Sequence, residues 1–461
     1  METLEILQDI CRQIGLPLEG LNDLTLMGRE PVLPSSFRVG TAAQASIAAS
    51  ALAAAQVWYQ RSGKRQAISV DMRHASIEFR SERYLKIDGG PAPALWDKIA
   101  GTYETGDGRW VRLHTNFPHH RDGVLEILGC ANDPEAVAAA LRQWRGQDFE
   151  DAAAENGLVA TMMRSPEEWQ THPQAQALDQ QPLISVERIG DAPPRPLPPG
   201  ARPLDGIRVL DLTRIIAGPV CGRTLAAHGA DVMRVTAPHL PSIAALVTDA
   251  GRGKLSSHID LRQEAGRESL RQLIAEADIL VQGYRPGGLE RWGFGTEEVA
   301  KMRPGIIYVS LSAYGHQGPW SMRRGFDSLV QTASGINFAE VEAAGANGPK
   351  PLPCQALDHA SGYFMAAAAM ATLARRADEG GSWHIRVALA RTGRWLQSLG
   401  RVANGFDVAE PDEADVDEFL EERPSGYGML TAVRHAAHLS ETPAHWARPS
   451  MPLGSHPPVW P

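Results

Sequence analysis

Apolar segments and turn residues alternate along the second half of the chain in a regular way. Residues Ile207–Leu212 are mostly apolar, which predicts a buried strand. A loop (Thr213–Pro219) and a helix (Val220–His228) come next, and the apolar segment Asp231–Val235 then predicts a second strand. A strand, a helix and a second strand in so short a stretch form a βαβ unit, which implies a parallel sheet.

The alternation continues beyond this unit. The predicted elements are, in order, helix Arg262–Glu276, strand Asp278–Val281, helices Gly288–Trp292 and Thr296–Met302, and strand Ile306–Leu311. We therefore predict an α/β fold with a doubly wound, parallel, Rossmann-like sheet, accompanied by a smaller α/β module in the N-terminal part. In that module, Asp107-Gly108 predicts a hairpin, and Ser165-Pro-Glu-Glu168 predicts a helix start with a capping box.

One structural unit is predicted twice. Ala42–Tyr59 is an alanine-rich segment typical of a buried helix, and Gln66–Val70 then predicts a strand. Ser361–Arg376 and Trp383–Leu389 repeat this order. A further apolar segment follows each strand, so the sequence indicates an internal repeat.

Two stretches of unusual composition divide the chain. The proline-rich segment 192–202 can hold neither a helix nor a central strand, and it predicts an extended linker. Acidic residues crowd together between positions 404 and 424, which favours a solvated connector. The predicted regions are an N-terminal module (1–191), the linker (192–202), a Rossmann-like domain (203–403), and an acidic linker with a C-terminal tail (404–461).

Composition narrows the functional classes. The formal net charge is −9 and no Lys/Arg run is present, which argues against nucleic-acid binding. The four cysteines are far apart and form no CxxC pair, as expected in a reducing compartment. The apolar stretches Ile47–Val57 and Tyr363–Ala374 are too short to span a bilayer, and the acidic N-terminus does not resemble a signal peptide. We expect a cytoplasmic protein that does not insert into membranes.

The usual motifs of nucleotide and metal chemistry are missing. The loop Thr213–Pro219 has a single glycine, so the dinucleotide fingerprint is absent, and Gly251–Ser256 lacks its third glycine. No P-loop and no GxSxG elbow is present. His119 and His120 are adjacent and would point apart on a regular element, so we predict no metal site.

A series of ordered segments carries a resemblance instead. They are Pro203–Thr213, Ala217–Pro219, Gly229–Val232, Ile259–Leu261, Ala277–Val281, Tyr284–Gly287, Leu289–Gly293, Phe326-Asp327 with Gln331 and Ser334-Gly335, and Leu357-Asp358. Together they resemble the family III CoA-transferases, which include formyl-CoA and carnitine CoA-transferases and their relative α-methylacyl-CoA racemase.

The resemblance implies that Asp358 is the nucleophile. In this family an aspartate attacks an acyl-CoA thioester to give a mixed anhydride, and an aspartyl-CoA thioester follows. A carboxylate suits both steps because it is a nucleophile and a leaving group. Asp358 could also be the N-cap of the helix that follows, and a helix N-terminus would stabilise its charge. The corresponding segment of the first repeat copy, Ser36–Gly40, has no carboxylate.

The resemblance also implies a set of CoA-binding residues. They are Ile215, Ile216 and Ala217 along CoA, Ile259, Gly283 and Tyr284 beside the adenosine, Arg291 at the phosphates, and Arg324 near the nucleotide. The implied substrates are an acyl-CoA and a carboxylic acid acceptor, with CoA as substrate and no permanently bound cofactor. The implied assembly is a homodimer.

Several residues depart from the family pattern. Ile216 and Gly283 stand where transferases commonly have glutamine and asparagine. Phe326 stands where racemases have a histidine, and two-base proton exchange is hard to build without it. We therefore favour a transferase over a racemase or lyase-like enzyme, with a non-catalytic CoA-binding partner protein as a third alternative.

The N-terminal module resembles the later half of the same family. Gly101–His114 is similar to the hairpin of its small domain, and Glu168–Gln174 is similar to a helix near its C-terminal end. Met451–His456 resembles its closing segment. The order of these parts predicts a displaced later-half module, without the catalytic acid, ahead of the Rossmann-like domain.

Overall fold

The computed structural model describes residues 2–461. The helices of the N-terminal part are α1 (Thr3–Ile14), α2 (Val39–Ser62), α3 (Met72–Glu78), α4 (Pro118–Leu128), α5 (Pro134–Leu141), α6 (Gly146–Glu155), α7 (Pro166–Thr171) and α8 (Pro173–Asp179). Its strands are β1 (Leu24–Met27), β2 (Ile68–Asp71), β3 (Lys86–Ile87), β4 (Gly90–Pro91), β5 (Gly101–Glu104), β6 (Trp110–Leu113), β7 (Ala160–Met162) and β8 (Ile184–Gly190).

The remaining elements follow the proline-rich linker. The helices are α9 (Ala217–Ala227), α10 (Ala244–Ala250), α11 (Glu264–Glu276), α12 (Thr296–Met302), α13 (Asp327–Ala333), α14 (Ile336–Ala344), α15 (Ala356–Glu379), α16 (Leu389–Ser398) and α17 (Glu413–Val416). The strands are β9 (Arg208–Leu212), β10 (Asp231–Thr236), β11 (Lys254–His258), β12 (Ile279–Gln282), β13 (Ile307–Ser312), β14 (Ser382–Ala388), β15 (Leu420–Ser425), β16 (Gly428–Val433) and β17 (Ala437–Leu439).

A seven-stranded sheet with the order β11-β10-β9-β12-β13-β14-β8 forms the centre of the fold. Its first six strands are parallel, whereas β8, from the N-terminal part, pairs antiparallel with β14 at one edge. Apart from β11, whose residues are mostly polar, the parallel strands are largely apolar, and they are mostly buried because helices cover both faces. The predicted α/β fold with a doubly wound, mostly parallel sheet is therefore confirmed.

The predicted elements of the sheet occur within a few residues of their expected bounds. One segment differs: Gly288–Trp292 forms only a short 3₁₀ turn at Glu290–Trp292, which ends at Gly293 in the left-handed region (φ +80°). Two glycines at its start and one at its end leave too few residues for a helical turn to propagate.

The two predicted repeat copies are present and lie against each other. Helices α2 and α15 have the same length, 24 residues, and pack directly on each other in the core. Their N-cap residues, Arg38 and Gln355, share nearly the same backbone angles (φ −79°, ψ 61° and φ −80°, ψ 64°). Each helix is followed by the predicted strand, and the apolar segment after each strand forms another helix, α3 or α16.

The small N-terminal module follows its sequence signals. The hairpin β5–β6 turns at Asp107-Gly108, and β7 completes a three-stranded antiparallel sheet. Helix α7 has Ser165 as N-cap, and the Ser165 hydroxyl and the Glu168 carboxylate form the predicted capping box.

The C-terminal segment differs from the solvated connector and tail that the acidic composition predicts. Within 404–461, β15 pairs with β16, and β17 joins the sheet of β1 and β2. The segment has an apolar face, because Val416 and Phe419, which lie among acidic residues in the sequence, are buried together with Val433. None of the helices formed by residues 2–461 combines the length and apolar character needed to cross a bilayer.

Candidate functional site

A cavity of about 420 Å³ opens at the carboxyl ends of the parallel strands. Its size lies within the range of sites for small molecules and cofactors, and ligands commonly bind at this end of an open α/β sheet. Its walls include seven of the eight predicted CoA-binding residues and the predicted nucleophile: Ile215, Ala217, Ile259, Gly283, Tyr284, Arg291, Arg324 and Asp358. Ile216 is the exception, because its side chain packs into the hydrophobic core.

Asp358 is the third residue of α15, and the N-cap of this helix is Gln355. The alternative role of Asp358 as N-cap is therefore wrong, because the helix begins earlier than its apolar pattern suggested. Only 6% of the Asp358 surface is exposed, and its carboxylate accepts no hydrogen bond from residues 2–461. A buried carboxylate that no neighbour occupies is available to a molecule in the cavity.

The backbone around Asp358 is held by a second buried acid. Asp327, the first residue of α13, accepts hydrogen bonds from the backbone N–H groups of Leu357 (2.8 Å) and Asp358 (2.9 Å) through the same oxygen. Its other oxygen accepts a hydrogen bond from the Gln331 side chain. Asp327 thus fixes the first turn of α15 and orients Asp358.

The charges near Asp358 favour its protonated form. Burial raises its pKa well above the usual range, and the nearby carboxylates of Asp327 and Glu82 raise it further. Burial also raises the pKa of Asp327 to about 6, although the hydrogen bonds from Asp358 and Gln331 lower it. Glu82 belongs to the N-terminal part of the chain, is 5% exposed, and lies 3.2 Å from the His359 imidazole.

The loop between β9 and α9 contributes another part of the cavity wall. Ile215 has a left-handed backbone (φ +74°), which is rare and strained for a β-branched residue. At the end of the loop, α15 comes very close: a Cβ on Gly362 would lie 2.5 Å from the carbonyl oxygen of Ala217. Only glycine allows this approach, so the helix that carries Asp358 and the loop are in direct contact.

Positive side chains dominate the rest of the cavity. Its lining includes Arg214, Arg262, Arg285, Arg291, Arg323 and Arg324, whereas its acids are Asp260 and Asp358. Arg262 is paired with Asp260 (2.7 Å), but Arg285 and Arg291 form no ion pair within residues 2–461. Unpaired guanidinium groups suit phosphate oxygens, which they can bind through two hydrogen bonds at once.

The N-terminal module closes the cavity on a third side with Phe117, His119 and His120. Burial lowers the pKa of His120 to about 3, and the neighbouring His119 and Arg324 lower it further. Arg324 donates to the carbonyl oxygen of Gly157 (2.6 Å) and so ties the module to the wall. Residues 2–461 bring together no group of His, Cys, Asp and Glu side chains suited to hold a metal ion.

The sequence alone did not predict functional roles for several of these residues. Asp327 had a signal, since it lies in a family-like segment four residues before Gln331, one helical turn away. No sequence signal indicated a role for Glu82, Phe117 or His120. Only the tertiary fold brings these residues close to parts of the site that lie far along the chain.

The chain is similar to several known proteins. The model of CoA-transferase family III matches residues 204–412. An acyl-CoA transferase of Gibberella moniliformis is 31% identical over 360 residues, 69% of this chain and 63% of that protein. An acetyl-coenzyme A transferase of Hypoxylon pulicicidum is 33% identical over 327 residues, 66% of this chain and 55% of that protein.

A protein of Mycobacterium tuberculosis named probable fatty acyl-CoA transferase is 31% identical over 275 residues, 54% of this chain and 68% of that protein. The chain thus spans about half to two thirds of the length of these relatives. The residues that the family model matches include the βαβ unit, the cavity-lining loop and Asp358. The chain belongs to CoA-transferase family III.

Proposed function

We propose that this protein transfers CoA from an acyl-CoA donor to a carboxylic acid, with Asp358 as the nucleophile. The observation that carries this proposal is the buried Asp358 carboxylate, which lies on the wall of a cationic cavity and accepts no hydrogen bond from residues 2–461. The names of the relatives, which are acyl-CoA transferases, support the same reaction class.

The reaction can be written in reversible steps. An oxygen of Asp358 attacks the thioester carbonyl carbon, the C–S bond breaks, and CoA leaves as a thiolate. The thiolate then attacks the aspartyl carbonyl carbon of the mixed anhydride, which releases the donor acid and leaves an aspartyl-CoA thioester. The acceptor carboxylate attacks this thioester to give a second anhydride and free thiolate. Attack of the thiolate on the acceptor's carbonyl carbon forms the new acyl-CoA and regenerates Asp358.

The cavity offers suitable groups for the nucleotide part of CoA. Arg285 and Arg291 are available for phosphate groups, while Ile259 and Tyr284 provide apolar surface for the adenosine. Ile215 and Ala217 would lie along the chain that leads to the thioester. Asp358 and Arg291 line the same cavity, as one CoA molecule bound at both ends requires.

The electrostatics of the site predict a dependence on pH. The nucleophile must be ionised. Because its pKa is raised, the Asp358 carboxyl group stays protonated up to a higher pH than that of an ordinary aspartate. The rate of adduct formation should therefore rise with pH and fall as the pH drops through that raised pKa.

A racemase is less consistent with the site. The residue before Asp327 is Phe326, whose ring stacks on the His114 imidazole at 3.9 Å. His114 is buried and is not part of the cavity wall, so it is not placed to remove an α-proton from a bound substrate.

Hydroxylamine trapping tests the proposal. The protein is incubated with a panel of acyl-CoA donors and hydroxylamine, and its peptides are analysed by mass spectrometry. We expect a hydroxamate on the peptide that contains Asp358, and Asp358→Asn should lose both the adduct and CoA transfer. Asp260→Asn changes another carboxylate of the same cavity and should keep the adduct.

Transfer by Asp358→Asn at the wild-type rate, with no adduct from any donor, would eliminate the mechanism. Incorporation of deuterium at the α-carbon of a 2-methylacyl-CoA, without transfer, would favour the racemase instead. The homodimer remains a prediction, which light scattering of the purified protein would test.

A further inference from the structure

A buried ion pair lies directly beneath the cavity-lining loop. Asp211, near the end of β9, and Lys254, at the start of β11, have fully buried side chains 2.7 Å apart. Neither group lines the cavity, so neither can contact a substrate there. Charged groups are rarely buried without a role that compensates for their lost hydration.

The pair holds both ends of the loop 213–219, which comprises the connection between β9 and α9 (213–216) and the first residues of α9 (217–219). The Asp211 carboxylate accepts hydrogen bonds from the backbone N–H of Thr213 (3.1 Å) and from the Thr213 hydroxyl. The Lys254 ammonium donates to the carbonyl oxygen of Pro219 (2.8 Å). Since Lys254 also donates to Asp211, the loop is closed by a continuous set of hydrogen bonds from its first residue to its last.

The segment between these ends is the one that contains the strained residue. Ile215, with φ +74°, lies two residues after Thr213 and four before Pro219, and it lines the cavity. Strained conformations persist where the surrounding structure imposes them. The close fit of Gly222 supports a rigid site: a Cβ there would lie 2.6 Å from the Asp211 carboxylate and 2.9 Å from the Lys254 nitrogen.

We propose that Asp211 and Lys254 are positioning residues that impose the left-handed conformation of Ile215 and so hold the loop 213–219 in the shape that binds CoA. This inference rests on the proposed function for the identity of the ligand. The conformational part does not, because the pair would hold the loop in the empty protein as well.

The chain contains a matched control. Arg376 and Asp278 form another buried ion pair (3.1 Å) under the same sheet, away from the loop. Arg376 also donates to a backbone carbonyl, that of Gly305 (2.9 Å), and Asp278 accepts the backbone N–H of Arg208 (3.1 Å). In each pair the two residues thus bond to each other and to backbone groups, although Asp278 also pairs with the half-exposed Arg195 (3.1 Å), and only the first pair touches the loop.

The test compares two neutralised double variants, Asp211→Asn/Lys254→Met and Asp278→Asn/Arg376→Met. Each removes both charges at once, so that no unpaired charge is left buried and folding is preserved. Amide hydrogen exchange of residues 213–219 is measured in the empty proteins, and CoA affinity is measured by calorimetry.

In the first variant we expect faster exchange in the loop, weaker CoA binding, and adduct formation slower by on the order of a hundredfold, as expected for a displaced binding element. The control variant should lose thermal stability while its loop exchange and CoA affinity stay as in the wild type. Equal effects of both variants, or unchanged loop exchange in the first, would overturn the inference.

If the first variant unfolds, Thr213→Val takes its place: it removes only the hydroxyl that donates to Asp211, and unchanged exchange in the loop would again overturn the inference. A further substitution, added to the double variant, tests the link to Ile215. Ile215→Gly removes the side chain that resists the left-handed region, so the loop no longer needs the ion pair to hold it there. The triple variant should recover part of the CoA affinity lost in the double variant; no recovery would contradict the proposed link. If the wild-type protein binds no CoA but loop exchange still differs between the two double variants, the proposed function fails while the positioning role stands.

Discussion

Replacement of Asp327 by asparagine should stabilise the protein, although it removes a carboxylate with three hydrogen bonds. The pKa of Asp327 is raised from an ordinary value of 3.8 to about 6, mainly by burial. The folded protein therefore binds this proton more tightly than the unfolded chain does. The stabilisation that this bound proton provides is complete below the ordinary pKa of 3.8. It is lost as the pH rises through the raised pKa of about 6.

The size of the effect follows from the two pKa values. A difference of about two units corresponds to about 3 kcal/mol lost once the pH is above 6. Asparagine resembles the protonated acid and avoids this loss. For a chain of 461 residues the unfolding entropy is about 1 kcal/mol per degree, so Asp327→Asn should melt about 3 °C higher near pH 8. Near pH 5 about half of that gain should remain.

Differential scanning calorimetry of both proteins at the two pH values tests this reasoning. An equal or lower melting temperature for the variant near pH 8, or a difference that does not change with pH, would refute it. Asp260→Asn is a suitable control, because the Asp260 pKa is lowered to about 2 by its hydrogen bonds from Arg262. Neutralising that carboxylate should lower the melting temperature.

The same substitution makes a prediction for the chemistry. Because the Asp327 charge helps to raise the Asp358 pKa, its removal should let Asp358 ionise at lower pH. The acidic limb of the pH profile for adduct formation should then move to lower pH in Asp327→Asn. A role limited to holding α15 in place would leave the position of that limb unchanged.

Two further predictions concern the cavity rim and the C-terminal segment. Arg291→Ala should weaken CoA binding about tenfold and reduce the salt dependence of binding, measured by calorimetry at two ionic strengths. Lys301→Ala, outside the cavity, is the control and should change neither. Equal effects of the two substitutions would contradict a phosphate role for Arg291. Trp446→Ala should lower the melting temperature by about 3–5 °C, because the buried Trp446 ring lies under the Arg252 guanidinium (4.1 Å) and its N–H donates to a backbone carbonyl (3.0 Å). The exposed Val459→Ala is the control, and a similar loss there would show that Trp446 does not anchor the segment.

The sequence was informative where structure depends on neighbouring residues. Strands such as β9 and β10 show as apolar runs between turn residues, and the capping box at Ser165 depends on four consecutive residues. The position of Asp358 before a long alanine-rich helix also indicated its place in the site. These features follow from local propensity and from the family motifs.

Other features depend on contacts between distant parts of the chain. Glu82 affects the charge of Asp358 from the N-terminal part, and Phe117, His119 and His120 complete a cavity formed otherwise by the Rossmann-like domain. The acidic stretch around Asp412 suggested a solvated connector because its charges outnumber its apolar residues. The few apolar ones, including Phe419, are nevertheless sufficient to pack against α3.

The relationship between the two repeat copies extends to the acids that hold their helices. In α15 the backbone N–H of the third residue, Asp358, donates to the buried carboxylate of Asp327 (2.9 Å). In α2 the third residue is Thr41, and its N–H donates to the carboxylate of Glu30 (2.6 Å). Burial raises the pKa of both carboxylates.

Equal helix lengths, equal cap geometry and this shared acid favour the duplication of one ancestral unit. The two copies differ in the surroundings of the third residue of each helix. Asp358 lies on the cavity, whereas Thr41 is fully buried. An acid at the Thr41 position would be a buried charge without a substrate to act on, and such a charge is costly. The full burial of Thr41 is therefore a physical reason why only α15 carries an acid at this position, the one proposed as nucleophile.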